Sequence, residues 1–117
     1  MRYLLMIYTN EEQDAARTPE QQEANMGAYY AFTNEVREAG VYLGGDALQP
    51  IATATSVRVR NGQTTTTDGP FAETKEQLGG YYMLDCENLD QAIEYAAKIP
   101  GAKDGTIEIR PIWEFDE

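Results

Sequence analysis

Residues 2 to 8, RYLLMIY, put apolar side chains on both alternating faces, the pattern of a central strand covered on two sides. A polar, acidic loop is expected over 9 to 17. Thr18, Pro19 and Gln21 then supply an N-cap, a first-turn proline and a capping box. The helix they open is expected to run to Ala39 and stop at Gly40, with Tyr29, Phe32, Val36 and Ala39 as its apolar stripe. A second strand is predicted at 41 to 44, breaking at Gly44-Gly45 and leading through Asp46 to Pro50. Residues 54 to 60 alternate, and Asn61-Gly62 turns them into a threonine-rich return strand. GGYYMLDC reads as another strand apolar on both faces. Asn88 caps a second helix whose buried stripe is predicted to be Leu89, Ala92, Ile93, Ala96 and Ala97, ending at Pro100-Gly101. The last strand alternates Ile107, Ile109, Pro111 and Trp113 with charged residues, and Pro111 marks an edge or a bulge.

That order predicts an α+β fold, a ferredoxin-like antiparallel sheet with two helices on one face and an extra β-hairpin, all within one domain over 1–117. Two helices cover one face only, while the first strand and YYML need cover on the other. A second subunit supplying that cover makes a homodimer the expected assembly.

Composition narrows the partners. A net charge of −11 speaks against nucleic acid, which requires a positive patch. No apolar stretch reaches the ~20 residues of a membrane span, and no signal segment opens the chain, so a cytoplasmic protein is expected. The single cysteine, Cys86, flanked by Asp85 and Glu87, reads as a buried small apolar residue. With no histidine in the chain, Ser-His and Cys-His nucleophile pairs are excluded, and so are most zinc sites. Neither a metal nor a cofactor is called for. Glu11-Glu12 and Glu35 with Glu38 read as loop and helix-surface charge.

What remains is TTTTDGPFAETKEQLGG, residues 64 to 80. Gly69 accepts backbone angles other residues avoid, and Asp68 can close an Asx-turn. Against an apolar Phe71, Asp68 is also a candidate general base. Glu73 and Asp46 are lesser carboxylate candidates. Gly69, Pro70, Phe71, Lys75 and Tyr81 are candidate ligand-binding residues, with Lys75 holding an anionic or polar small molecule and Phe71 and Tyr81 as walls.

Taken with RYLLMIY, AGVYLGGDALQP, TSVRVRNG, TDGPFAETKEQLGGYYML and IEIRPIWE, this stretch resembles the YCII-related family, in the branch carrying a DGPF motif. The resemblance covers nearly the whole chain. It implies a dimeric α/β barrel of ferredoxin-like subunits with a cleft near the DGPF loop, often in the genetic setting of extracytoplasmic-function sigma factors. Many such proteins carry a histidine near the start of the first helix, paired with an aspartate. Here that stretch reads TPEQQEANM, so the dyad is not carried over. Two functions compete: a dimer with a small-molecule-binding or acid–base catalytic cleft, and a non-enzymatic module engaging a regulatory protein partner.

Overall fold

Tyr3, Leu5 and Ile7 take alternate positions in the first strand and all three are buried, whereas Leu4, Met6 and Tyr8 between them are half-buried on the opposite face. The computed structural model describes residues 1–115. Its elements are β1 (Arg2–Thr9), α1 (Glu11–Ala15), α2 (Pro19–Glu38), β2 (Tyr42–Ala47), β3 (Thr55–Arg60), β4 (Gln63–Asp68), β5 (Gln77–Asp85), α3 (Leu89–Lys98) and β6 (Thr106–Pro111). Four strands form one sheet in the order β2-β5-β1-β6, antiparallel at each junction. This is the ferredoxin-like arrangement, with β3 and β4, inserted in sequence between β2 and β5, forming a separate two-stranded sheet. The sheet is open rather than closed into a barrel. The position of β6 at its edge accommodates Pro111, which has no N–H to donate.

The core lies between the sheet and the two longer helices. Leu5, Leu84, Ile99, Val36 and Cys86 are the largest fully buried side chains, joined by Phe32 and Tyr82, whose rings meet edge-on at 5.0 Å. Burial and the charge of Asp85 push the Cys86 thiol up, so it packs as an apolar group. Thr18 and Gln21 form the capping box that opens α2, and Gly40, at φ +76°, follows its end.

Five details differ from the sequence reading, the first being that the last strand ends at Pro111 and leaves Trp113 exposed beyond it. Residues 11–15 form a short helix instead of loop, because Asn10 accepts from the Gln13 N–H and caps it. The second strand continues through Gly44-Gly45 to Ala47, with a bulge after Tyr42. It lies so close to β5 that a Cβ on Gly45 would come 2.8 Å from the Tyr81 carbonyl oxygen, so the glycine permits the pairing. On α3, the stripe that meets the sheet is Ala92, Ala96 and Ile99, while Ala97 is exposed and Leu89 and Ile93 are 49% and 48% exposed. The small alanines set the contact line, and the larger pair falls to its side. Ala39 likewise caps the end of α2 in solvent.

The β3–β4 hairpin turns at Asn61-Gly62, both with positive φ, and stands away from the body. All of β4 and most of β3 are exposed, and the radius of gyration is 16.3 Å. A compact chain of this length would have about 13 Å.

Removing the Thr18 hydroxyl in Thr18→Ala is expected to cost about 1 kcal/mol of stability. Urea unfolding at one fixed protein concentration checks this, and an unchanged midpoint would refute it.

Candidate functional site

The helical stripe that buries Phe32 and Val36 continues toward the start of α2 as Gln22, Asn25, Tyr29 and Thr33, at steps of three and four residues. These polar side chains do not complete the core. They line a cavity of about 660 Å³ between α1, α2 and the end of the sheet where β1, β2 and β5 meet. Apolar wall is added by Ile7, Tyr42, Ala47, Leu48 and Pro50. Part of the floor is backbone alone. A Cβ on Gly101 would come 2.9 Å from the Tyr29 hydroxyl and from the Ile7 side chain, so the glycine lets the phenol approach the main chain.

The Tyr29 hydroxyl lies against the Gly101 backbone, whose N–H favours the phenolate. Thr33 Oγ1 donates to the Tyr29 carbonyl at 2.9 Å and lies 2.8 Å from the Tyr82 hydroxyl. Burial raises both phenols above their ordinary value, with the Gly101 N–H and the Thr33 hydroxyl pulling the other way.

Across the mouth, Asp14 accepts from Thr9 Oγ1 at 2.7 Å and meets Arg17 Nη1 at 3.1 Å. The second Arg17 nitrogen is 3.6 Å from Asp104, and Gln22 Nε2 donates to the Asp14 carbonyl at 2.8 Å. Asp14 and Arg17 are thus a braced pair, both less than a third exposed. Glu11, read from the sequence as loop charge, accepts the Ile51 N–H at 3.0 Å and ties α1 to the turn after β2. Against Glu11, Asp14 and Asp46, Arg17 is the one cation among the described lining residues.

Of the residues singled out from sequence, Asp46 and Tyr81 border this cavity. They sit opposite each other across the β2–β5 ladder, and strand alternation puts their side chains on the sheet face away from Tyr82. There the Tyr81 hydroxyl donates to Asp46 at 2.8 Å, and this bond raises the Tyr81 pKa. The others stand elsewhere. Asp68 ends β4 in solvent, and the Gly69 N–H, at φ +96°, donates to the Ala54 carbonyl at 2.6 Å to close the base of the hairpin. Phe71 is 79% exposed beneath the Arg58 guanidinium at 5.9 Å. Pro70, Glu73 and Lys75 are exposed, and the Lys75 carbonyl accepts from the Asn10 amide. None of residues 68–75 lines the cavity. Of the other cavity residues, Tyr29 was read as part of the apolar stripe and Glu11 as loop charge, while Asp14, Arg17, Gln22, Asn25 and Thr33 went unread in the sequence. Their one signal was polar side chains on the register of a stripe that is buried further along.

Comparison with known proteins places the chain. The model of the YCII-related domain matches residues 1–116. The chain belongs to the YCII-related family. An uncharacterized protein of Rhizobium meliloti (strain 1021) is 37% identical to this YCII-related chain over 114 residues, 96% of this chain and 92% of that one. Among solved structures, it is similar to the 5-chloro-2-hydroxyhydroquinone dehydrochlorinase (TftG) of Burkholderia phenoliruptrix AC1100 in complex with 2,5-dihydroxybenzoquinone. The TM-score is 0.53 at 12% identity, covering 99% of this chain and 96% of that one, a similarity of fold.

The buried phenols make stability depend on alkaline pH. With folded-state pKa values raised, their contribution is full below about pH 10 and is lost as pH rises beyond it. The urea midpoint is expected to fall above that pH, less steeply in Tyr29→Phe than in the wild type. Equal slopes in the two proteins would refute a raised Tyr29 pKa.

Proposed function

We propose that this YCII-related protein binds, and performs acid–base chemistry on, a compact, largely apolar molecule bearing hydroxyl or keto oxygens. It does so as a homodimer whose second copy covers the helix-free sheet face. The observation that carries the reading is the meeting of an apolar-walled cavity with a few fixed polar groups that retain hydrogen-bonding capacity. Tyr29, its pKa raised by burial, stays protonated near neutral pH and offers its hydroxyl to a ligand oxygen. Asp14, oriented by Thr9 and Arg17, keeps lone pairs for a ligand hydroxyl and is placed to take its proton. Tyr42 and Tyr82 offer ring edges and faces to a flat molecule.

The charge of the lining selects among ligands. The carboxylates of Glu11 and Asp14 against the one guanidinium of Arg17 favour a neutral, hydroxylated molecule over an anionic one. The dihydroxybenzoquinone held by the dehydrochlorinase of similar fold belongs to the chemical class that such a cavity suits. In this reading the catalytic weight lies with Asp14 and Tyr29, and Asp68 acts at a distance from it.

Isothermal titration with 2,5-dihydroxybenzoquinone and with hydroquinone tests the reading. Binding is expected in the wild type, weakened about tenfold or more in Tyr29→Phe and Asp14→Asn, and abolished when Ala47→Trp fills the cavity. Asp68→Asn should bind as the wild type does. Loss in Asp68→Asn with retention in Tyr29→Phe would instead return the site to the DGPF loop. Absence of binding by either ring would overturn the ligand class.

A further inference from the structure

The β3–β4 hairpin has no evident reason to hold its shape alone. An isolated two-stranded ribbon is marginal in water, and both long edges of this one present unpaired backbone groups. Its cross-strand pairs sort the side chains cleanly. One face carries Val57 and Val59, 60% and 57% exposed, beside Thr64 and Thr66, with Thr55 and Asp68 at its base. The other carries Ser56, Arg58 and Arg60, with Phe71 lying beneath Arg58. The ribbon therefore carries valines and threonines toward its tip on one side and arginines with Phe71 on the other, and is uncovered on both.

Charge indicates what covers it. Arg58 and Arg60 against Asp68 give residues 55–68 a net +1 in a chain of −11, which leaves −12 on the remainder. A cationic arm on a strongly acidic body complements the body of another copy of the same chain, and repeating the contact about a two-fold axis satisfies both arms at once. The molecule's shape agrees with this. It is a slab 18 Å thick and 48 Å across in both other directions, with the arm extending beyond its own core.

We infer that the β3–β4 hairpin is an arm that clasps the acidic body of a second copy, with Arg58 and Arg60 supplying the attraction and Val57, Val59 and Phe71 the buried surface. This rests on the homodimer in the proposed function and goes beyond it, since the sheet faces alone would not require an arm. The ligand cleft plays no part in it.

The base of the arm provides a clean test. Gly69 N and the Ala54 carbonyl oxygen are 2.6 Å apart, so residues 55–68 can be replaced by a two-residue Asn-Gly turn without moving the ends. Sedimentation velocity is expected to show a wild-type dimer whose dissociation constant rises about tenfold or more between about 50 mM and about 500 mM NaCl. The excised chain should dissociate at least about tenfold more readily while keeping its circular dichroism and cooperative melting. Arg58→Glu with Arg60→Glu, which leaves the backbone intact, should weaken the dimer to a similar degree and decides the matter if the excised chain fails to fold. A dimer equally tight with the arm excised or reversed in charge overturns the arm alone. A wild-type monomer at about 100 µM overturns the arm and the homodimer together.

Discussion

The ladder between β1 and β5 carries the rest of the molecule. It joins residues 2–9 to residues 77–85 and brings Leu5 and Leu84, both fully buried, onto the same face. From that seam the sheet extends outward, to β6 on one side and β2 on the other. Helices α2 and α3 have no stable position without it, because their apolar stripes are narrow and pack on the residues this ladder aligns. The fully buried residues gathered there are the usual source of a domain's stability, each contributing about 1.5–3 kcal/mol on burial.

The cavity follows from where that packing stops. Along α2 the buried side chains run out at Phe32. Thr33, Tyr29, Asn25 and Gln22 then hold the helix over the sheet end without filling the space beneath it. The backbone at Gly45, Gly79, Gly80 and Gly101 contributes no bulk to that space either. Polar groups near such an opening exert more influence than they would in bulk water, since its apolar walls lower the local dielectric. Asp14 is kept in place from two sides, by a hydroxyl and by a guanidinium.

Much of this architecture was legible in the chain. The capping box at Thr18, the turn at Asn61-Gly62 and the doubly apolar β1 each have a local physical cause, and each was found where expected. What was not legible depended on contacts distant in sequence. Whether Leu89 and Ile93 or Ala92 and Ala96 face the sheet is set by how close α3 lies, and the helical period fits either pair. The break read at Gly44-Gly45 is instead a close approach to β5, which only the pairing partner reveals. The cavity escaped notice for a related reason: Arg17, Asp14 and Tyr29 have unremarkable local contexts and gain meaning only when α1, α2 and the turn at Pro100–Ala102 converge. The DGPF stretch drew attention through composition, which marks a backbone device as readily as a site.

The central strand also sets an order in time. β1 leads the sequence, yet both of its partners lie some seventy or more residues further on. The hairpin at 55–68 and helix α2 are built from contacts between near neighbours, while the sheet must wait for long loops to close, an entropic cost that slows folding. On a ribosome adding about 5–20 residues each second, β1 spends several seconds as an unpaired apolar segment. Residues 2–9 thus stay unsheltered by this partner until residues 77–85 have been made.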